Sequence, residues 1–320
     1  MKTLGIYCGG YSSEFEISLK SAKTIQNNFP ERYQTALIIV SELKWTVLFH
    51  DKEYAFNWER NGFQTEREYV RIDLGLVYIH GNPGENGKVQ AYLELKNTPY
   101  LNSNVLASSL SFDKWFCNQF LSNFEVPIAK SILLHEIPKN ETSILEALGL
   151  PVFVKPCDSG SSYGISKVKT EKELIPALEK AFEEGDSVVI ESFLKGTEVT
   201  CGVYRTANSL ESLPLTEIVS ENEFFDFEAK YLGKSQEITP ARILEEEAKL
   251  TSELAKKIYR ILQLKSIARI DFILVEGIPH LIEVNTTPGF SEASIVPKML
   301  ACANKSITEF WEEILESQGF

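Results

Sequence analysis

Apolar and polar residues in the first third of the chain alternate between strand-like runs and helical periodicity. Leu4–Cys8 is a short apolar run, and the segment after it carries Ile17 and Ile25 at helical positions. Ser13 and Glu16 have the spacing of a capping box, which predicts where that helix begins. Further strands are predicted at 35–40, 45–49 and 76–79, and a helix at 89–95. This βαβ order indicates a parallel sheet with ligand-binding loops at the carboxyl ends of its strands.

The rest of the chain continues the alternation. A helix is predicted at 111–122, with Trp115, Phe116 and Phe120 on its apolar side. Additional strands are predicted at 150–154, 165–168, 188–191, 198–203 and 215–219, and helices at 171–184 and 244–262. The whole pattern is typical of the α/β class.

Two strands near the C-terminus, 269–275 and 279–285, flank a Glu-Gly pair that can reverse the chain. Pairing them as a hairpin brings Asp271, Glu283 and Asn285 to one end of a sheet. The last two lie two residues apart and therefore point to the same face. Carboxylate and amide oxygens suit Mg²⁺ that is also held by nucleotide phosphates. From the spacing alone, a polar sheet end is an equally good interpretation.

Composition narrows the class of protein. The chain has 320 residues, of which 43% are hydrophobic and 24% charged, as in ordinary globular proteins of two or three domains. A net charge of −13 argues against nucleic acid or an anionic membrane as the main partner. We expect a cytoplasmic protein, because the start has no signal-peptide pattern, no apolar run suits a membrane span, and the five cysteines are scattered without a CxxC pair.

A glycine- and serine-rich loop at 157–164 follows an apolar strand that ends in Lys155. Its backbone amides could wrap a phosphate, and a lysine at that place would be costly to bury without an anionic partner. The loop lacks the spacing of a P-loop, and the glycines at 9–10 and 81–87 lack the spacing of a dinucleotide fingerprint. A nucleotide site outside both of these classes is therefore predicted, with a simple hairpin turn as the alternative.

Seven motifs then occur in one order along nearly the whole chain. They are Gly9-Gly10 with Glu14, His80-Gly81 with Glu85-Asn86-Gly87, Asp113-Lys114, Lys155-Pro156 with Gly160-Ser161-Ser162, Glu228 with Lys230-Tyr231, Arg269 with Asp271, and Glu283 with Asn285 and Gly289. Their order and spacing resemble the D-alanine–D-alanine ligases of the ATP-grasp superfamily. Chance would have to reproduce all seven in sequence.

The resemblance implies an α/β protein of three subdomains with an N-terminal Rossmann-like parallel sheet. The subdomains would span 1–102, 103–191 and 192–320, with ATP held between the second and third. It also implies a homodimer and a reaction with D-alanine and ATP. The γ-phosphoryl group would pass to one D-alanine, and a second D-alanine would attack the acyl phosphate to form the dipeptide used in peptidoglycan precursors.

The resemblance also assigns residues. ATP would be bound by Lys114, Lys155, Ser162, Glu191, Leu194, Glu198 and Lys230. Two Mg²⁺ ions, with Mn²⁺ as an alternative, would be held by Asp271, Glu283 and Asn285. The first D-alanine would lie against Glu14 and His80, and the second against Ser294 and Ile295. Catalysis would use Glu14, Ser161 and Tyr231, with an oxyanion site formed by Arg269 and the amide of Gly289.

Three other interpretations remain open. A D-alanine–D-lactate ligase of the same fold would alter the segment that here retains Lys230-Tyr231. A non-catalytic ATP-binding module would be expected to lose Arg269 or the metal carboxylates. An NAD-dependent oxidoreductase would need the dinucleotide fingerprint that is missing here.

Overall fold

The computed structural model describes residues 1–140, 142–160, 163–220 and 235–320, which form three sheets and the helices around them. The helices are α1 (Phe15–Asn28), α2 (Lys88–Leu95), α3 (Val105–Phe112), α4 (Lys114–Ser122), α5 (Thr142–Leu148), α6 (Leu174–Phe182), α7 (Glu245–Ile261), α8 (Ile295–Cys302) and α9 (Ile307–Ser317). The strands are β1 (Lys2–Gly9), β2 (Tyr33–Val40), β3 (Trp45–Phe49), β4 (Lys52–Asn57), β5 (Gly62–Gln64), β6 (Tyr69–Arg71), β7 (Leu74–Val77), β8 (Ser131–Leu134), β9 (Val152–Pro156), β10 (Ser166–Val168), β11 (Val188–Ser192), β12 (Thr197–Arg205), β13 (Leu210–Ser212), β14 (Thr216–Ser220), β15 (Ser235–Ile238), β16 (Ala268–Val275) and β17 (Ile278–Asn285). The α/β class is confirmed.

The N-terminal sheet has the order β6-β5-β4-β3-β2-β1-β7 and is only partly parallel. Strand β1 is parallel to β2 and β7, whereas β2 through β6 pair antiparallel. The prediction of a parallel sheet is therefore wrong for more than half of it. The reason is the length of the connections: β3 and β4 are joined by His50 and Asp51 alone, and a parallel crossover needs a dozen residues or more.

The other two sheets lie later in the chain and are antiparallel. The central one has the order β10-β9-β11-β8, and the C-terminal one has the order β15-β14-β12-β16-β17, with β13 also paired to β12. Two hairpins carry five of the polar side chains described below: β9–β10 in the central sheet, with Lys155, and β16–β17 in the C-terminal sheet, with Arg269, Asp271, Glu283 and Asn285. The predicted subdomain boundaries stay a prediction.

Helix α1 begins without the predicted capping box. Its N-cap is Glu14, and no side chain caps the first turn. Instead, the amide of Glu14 donates to Ser12 Oγ at 3.3 Å, and Glu14 itself is buried at a cavity wall. The carboxylate that could have stabilised the helix start is thus directed into the cavity.

The helix predicted at 111–122 is two helices, which meet at Asp113. The side chain of Asp113 caps α4 by accepting from the amide of Phe116 at 2.8 Å. Phe116 is 54% exposed and Phe120 39% exposed, so the predicted apolar side is wrong for both. The buried face instead carries Lys114 and Asn118, because this face of α4 is turned toward the cavity and β17.

One core joins the two ends of the described chain. The face of the N-terminal sheet covered by α1 packs against α9, with the rings of Phe29 and Trp311 5.8 Å apart. Arg32 and Glu312 form an ion pair beside this contact. Within the described ranges, no helix is long and apolar enough to cross a membrane.

Candidate active site

The β16–β17 hairpin forms as predicted. Arg269 lies opposite Asn285 and Asp271 opposite Glu283, so these four side chains are direct cross-strand neighbours. The connecting residues 276 and 277 have φ angles of 51° and 80°, and two positive φ angles at the central residues are typical of a type I′ turn. The hairpin thus assembles a polar cluster from cross-strand residues that are 12 to 16 positions apart in sequence.

A β-bulge in β17 turns this cluster toward the cavity. Leu281 and Val284 are three residues apart, yet both belong to the same buried core, which a regular strand with a period of two does not allow. The register shifts by one residue between Asp271 and Phe272, so Ile282 is the extra residue. Glu283 therefore lines the cavity and is not buried in the core with Leu281.

The carboxylate of Asp271 is held by a network of donors. Arg269 donates to both of its oxygens, at 2.9 Å from Nε and 2.8 Å from Nη2. Asn285 Nδ2 donates at 3.1 Å, and the hydroxyl of Thr200 on the neighbouring strand β12 also donates. This arrangement fixes the orientation of Asp271 and places the Arg269 guanidinium at the same point of the cavity.

Lys155 and Glu191 form a buried ion pair on adjacent strands of the central sheet. Lys155 Nζ donates to Glu191 Oε2 at 2.6 Å, and the two side chains are 11% and 8% exposed. Burial by itself lowers the pKa of Lys155, but Glu191, and after it Glu283 and Glu198, raise it above the ordinary value overall. The lysine is therefore a permanent cation inside the cavity. The amide of Asn118 lies between Glu191 Oε1, at 3.5 Å, and the carbonyl of Ile282, at 3.4 Å.

Lys114 reaches the loop between β9 and β10. Its Nζ donates to the carbonyl of Ser159 at 2.6 Å, and its backbone amide donates to the carbonyl of Cys157 at 2.9 Å. The same loop contacts Glu14 of the N-terminal part, because a Cβ built on Gly160 would lie 2.6 Å from Glu14 Oε2. Any larger residue at position 160 would require the Glu14 carboxylate to move.

His80 lies deep beside Glu14 and is 5% exposed. Its Nε2 is 3.3 Å from Ser21 Oγ on α1. Burial lowers the pKa of His80 below its ordinary value, although Glu14 and a backbone hydrogen bond with Thr287 oppose the shift. His80 is therefore neutral at pH 7.

A second acidic group, Glu85, lies on the same wall of the cavity. Its Oε2 accepts from the amide of Gly81 at 2.8 Å. Burial, and next the carboxylate of Glu14, raise the pKa of Glu85 to about 8. Near neutral pH this group therefore carries a proton for much of the time.

The turn before α8 closes the other end of the cavity. Ser294 is the N-cap of α8; its Oγ lies 2.8 Å from Ser291 Oγ and accepts from the Ser291 amide at 3.1 Å. Gly289 approaches this hydroxyl so closely that a Cβ on it would lie 3.1 Å away. Ile295 and Gly289 both line the cavity.

The cavity has a volume of 460 Å³ and is lined by residues of all three sheets and their loops. It brings together twelve of the predicted site residues: Glu14, His80, Lys114, Lys155, Glu191, Leu194, Glu198, Arg269, Asp271, Glu283, Asn285 and Gly289. Ser294 and Ile295 line it as well. The remaining four, Ser161, Ser162, Lys230 and Tyr231, lie outside the described residues.

Sequence reasoning missed Thr200, Asn118 and Glu85 as members of this site. Thr200 is a β-branched residue in a strand and Asn118 a polar residue on a helix, so neither had a distinguishing local pattern. Glu85 stood inside a quoted motif, but only the structure shows that its carboxylate faces the cavity. In the described part of the chain, no group of three or more His, Cys, Asp or Glu side chains is arranged to hold a metal ion.

Comparisons with known proteins agree with this geometry. A family model described as D-ala D-ala ligase N-terminus matches residues 3–103, and one described as D-ala D-ala ligase C-terminus matches residues 120–316. The chain is 41% identical to the D-alanine–D-alanine ligase of Phocaeicola vulgatus, with 99% of each chain covered. It is 44% identical to that of Flavobacterium psychrophilum, with 96% of this chain and 94% of the relative covered.

Solved structures are similar over the same length. The VanG D-Ala:D-Ser ligase of Enterococcus faecalis matches with a TM-score of 0.88 at 29% identity, covering 99% of both chains. The Bacillus anthracis D-alanine–D-alanine ligase complexed with ATP matches with a TM-score of 0.79 at 27% identity, covering 99% of this chain and 97% of that one. With both family models matched and relatives above 40% identity over nearly the full length, the chain belongs to the D-alanine–D-alanine ligase family.

Proposed function

We propose that this protein joins two D-alanine molecules into D-alanyl-D-alanine and converts ATP to ADP and phosphate. The observation that carries the proposal is the single cavity in which Arg269 and Asp271, the Lys155–Glu191 pair and the Glu14–His80 pair meet. Each pair comes from a different sheet or its adjoining segments, and each suits a different part of the reaction. The dipeptide would serve the synthesis of peptidoglycan precursors.

Lys114 and Lys155 are suited to the phosphates of ATP. Phosphoryl transfer depends mainly on positioning and on neutralising the charge of the phosphate oxygens. Lys114 Nζ donates to the glycine-rich loop, Lys155 lies on the strand that leads into this loop, and both lysines line the cavity. Glu191 positions Lys155 through its 2.6 Å hydrogen bond, and Glu198 is available for the ribose hydroxyls.

Asp271, Glu283 and Asn285 fit a magnesium ion in donor chemistry. Two carboxylates and an amide supply hard oxygen ligands, which Mg²⁺ prefers and completes with water and phosphate oxygens. A bound Mg²⁺ would neutralise charge on the phosphates during transfer. Asp271 already faces the cavity in a fixed orientation, because Thr200 and Asn285 hold its carboxylate.

Arg269 is suited to the acyl-transfer step. The γ-phosphoryl group bonds to a carboxylate oxygen of the first D-alanine, ADP leaves, and an acyl phosphate results. The amine of the second D-alanine then attacks the carbonyl carbon, and phosphate leaves with the C–O bond electrons and takes up the proton that the amine loses. The negative oxygen that develops needs preorganised donors, and the guanidinium of Arg269 with the amide of Gly289 would supply them.

Glu14 and neutral His80 are suited to the first D-alanine. A carboxylate that is 7% exposed attracts an ammonium group strongly, because little water screens it. His80 adds a hydrogen-bonding group without a competing positive charge. The enclosed position also excludes water, which would otherwise hydrolyse the acyl phosphate.

Mass spectrometry of the products tests the proposal. The purified protein is incubated with ATP, Mg²⁺ and D-alanine, with D-serine and D-lactate as competing acceptors. We expect D-alanyl-D-alanine as the main product, with one ADP formed for each dipeptide. If D-alanine is joined mainly to D-serine or D-lactate, the acceptor is that compound and not D-alanine. If the protein binds ATP but forms no product, it is a non-catalytic module.

Arg269→Gln provides the matched test of the site. We expect kcat to fall by about 100-fold or more, because one oxyanion donor is lost. Arg260→Gln, on the exposed side of α7, is the control and should retain full activity. Equal activity of the two variants would contradict the proposed role of Arg269.

A further inference from the structure

Lys20 lies on the face of α1 that is turned toward the cavity. Lys20 follows Ile17 by three residues, so the two are neighbours on the helix surface, and both line the cavity wall. Ser21 Oγ accepts from the amide of Phe290 at 3.1 Å. This turn of α1 therefore lies next to the segment that leads from Gly289 into α8, and Lys20 is the residue directly before Ser21. Lys20 and Ser294 line the same cavity.

Among the residues that the structure describes, four lysine and arginine side chains line the cavity, and three of them are already bonded to protein groups. Lys114 donates to the Ser159 carbonyl at 2.6 Å, Lys155 pairs with Glu191 at 2.6 Å, and Arg269 pairs with Asp271 at 2.8 Å. The fourth is Lys20, whose ammonium makes no hydrogen bond or ion pair to any residue that the structure describes. A cavity-lining ammonium without a bonding partner in the described ranges is available to an anionic ligand.

The chemistry of the reaction limits which anion this can be. In the proposed function the phosphates of ATP are assigned to Lys114, at the start of α4, and to Lys155, on the central sheet. The carboxylate of the first D-alanine is consumed when it becomes the acyl phosphate. The carboxylate of the second D-alanine keeps its charge throughout, and Ser294 offers it only a neutral hydroxyl. A positive charge at this end of the cavity would balance that carboxylate.

We propose that Lys20 is a positioning residue for the acceptor, with its ammonium attracting and orienting the carboxylate of the second D-alanine. This inference rests on the proposed function. Because the ammonium is exposed and partly screened by water, the interaction is of moderate strength. It acts on binding of the acceptor and on none of the bonds made or broken.

Steady-state kinetics of Lys20→Gln test the inference. The rate of dipeptide formation is measured against D-alanine concentration and fitted with one Michaelis constant for each of the two D-alanine sites. We expect KM for the second site to rise three- to tenfold, with kcat, KM for the first site and KM for ATP within twofold of wild type. Lys20→Glu should raise the second KM further, and Lys20→Arg should restore it.

Lys23→Gln is the matched control, since Lys23 lies on the same helix, is exposed, and donates to Gln26 at 2.9 Å away from the cavity. Raising the salt concentration should increase the second KM of wild type and of Lys23→Gln, and leave that of Lys20→Gln nearly constant. The role of Lys20 would be overturned by an unchanged second KM in Lys20→Gln, or by an equal rise of the second KM in Lys23→Gln. In either case, dipeptide formation by the wild-type protein would still support the proposed function. Wild type that forms no dipeptide would overturn both.

Discussion

Single residues in this site are held by more than one neighbour, and Asp271 is the clearest case. Its two oxygens accept from Arg269, Thr200 and Asn285. A carboxylate has about four lone-pair positions and this one accepts four hydrogen bonds, so a bound Mg²⁺ would take the place of at least one of these donors. Thr200 is the member of this network with no part in the proposed chemistry, and its hydroxyl can be removed without touching a proposed ligand.

Thr200→Val should lower the free energy of unfolding by about 1–3 kcal/mol, because a buried hydrogen bond to a charged group is lost. Denaturant unfolding measures the change. In a protein that already carries Asp271→Asn, Thr200→Val should lower the free energy of unfolding by clearly less, because the charged acceptor of the hydrogen bond is already absent. Equal costs in the two backgrounds would mean that Thr200 stabilises the strand by packing and not through Asp271.

Glu85 should make stability depend on pH. Its pKa is about 8 in the folded protein and has an ordinary value of 4.5. Between these two values the folded state keeps a proton that the unfolded state has lost, so stability falls as pH rises through this window. Glutamine does not ionise, so the Glu85→Gln variant should not lose stability as the pH rises through this window. We expect its Tm to exceed that of wild type by about 2 °C or more at pH 8.

Thermal unfolding of both proteins in metal-free buffer at pH 5 and pH 8 measures this effect. The advantage of Glu85→Gln should shrink toward pH 5, where the wild-type group is protonated for most of the time in the folded state and partly so in the unfolded state. Glu59→Gln, at an exposed position, is the control. A Tm difference that is the same at both pH values would show that Glu85 acts through packing alone.

At the scale of elements, the β16–β17 hairpin contains two irregular features. Its turn follows from the local residues Glu276 and Gly277, and its bulge at Ile282 lies beside the cavity. The Glu276-Gly277 turn has positive φ at both positions, a conformation that glycine and asparagine adopt more easily than glutamate. The turn is at the end of the hairpin opposite to Asp271 and Glu283. Its stability can therefore be changed separately from the chemistry.

Two substitutions in this turn should change stability in opposite directions. Glu276→Asn should raise the free energy of unfolding by about 0.5–1 kcal/mol, because Asn-Gly is the preferred type I′ pair. Gly277→Ala should lower it by about 1 kcal/mol or more, because alanine is strained at positive φ. Denaturant unfolding gives both values, and kcat should be unchanged in each. Loss of activity in either variant would show that the turn reaches the site.

The strands and the turn of this hairpin could be predicted from the sequence, whereas its bulge could not. Its strands and turn follow from alternation and a Glu-Gly pair, which are local signals. The bulge at Ile282 has no local signal, since it depends on which side of the sheet is covered. The prediction that aromatic residues form the buried face of α4 is wrong for a related reason. Lys114 and Asn118 lie on the buried face, whereas Phe116 is exposed. Apolar periodicity predicts a core, and it fails where the inner face is a polar site.

At the scale of the whole molecule, the cavity lies where three sheets meet, so a ligand there contacts elements of all three. No single sheet contains a complete set of groups for the proposed reaction. The order of motifs along the chain predicted that residues of all three sheets line one site. The distances between these residues and the ion pairs that they form could be learned only from the folded structure. A ligand that bridges the sheets should stabilise the molecule as a unit.

A nonhydrolysable ATP analogue with Mg²⁺ should raise Tm by roughly 5–10 °C at 100 times its Kd. The double variant Lys155→Met/Glu191→Gln should lose at least half of this shift, because it removes a phosphate-binding cation. Changing both partners avoids leaving a buried charge unpaired. Differential scanning fluorimetry measures the shifts, with Lys139→Met, at an exposed position, as control. A full shift in the double variant would remove Lys155 from the nucleotide site.

The core shared by α1 and α9 has a consequence for how the protein is made. Phe29 and Trp311 pack together, and Arg32 pairs with Glu312, across about nine-tenths of the chain length. During synthesis, the core formed by α1 and the N-terminal sheet stays incompletely covered until residues 307–317 have left the ribosome. Contacts of such long sequence separation form late and slowly, and exposed apolar surface invites aggregation in the meantime. Chaperones that shield apolar surface would therefore act on the first-made part of this chain.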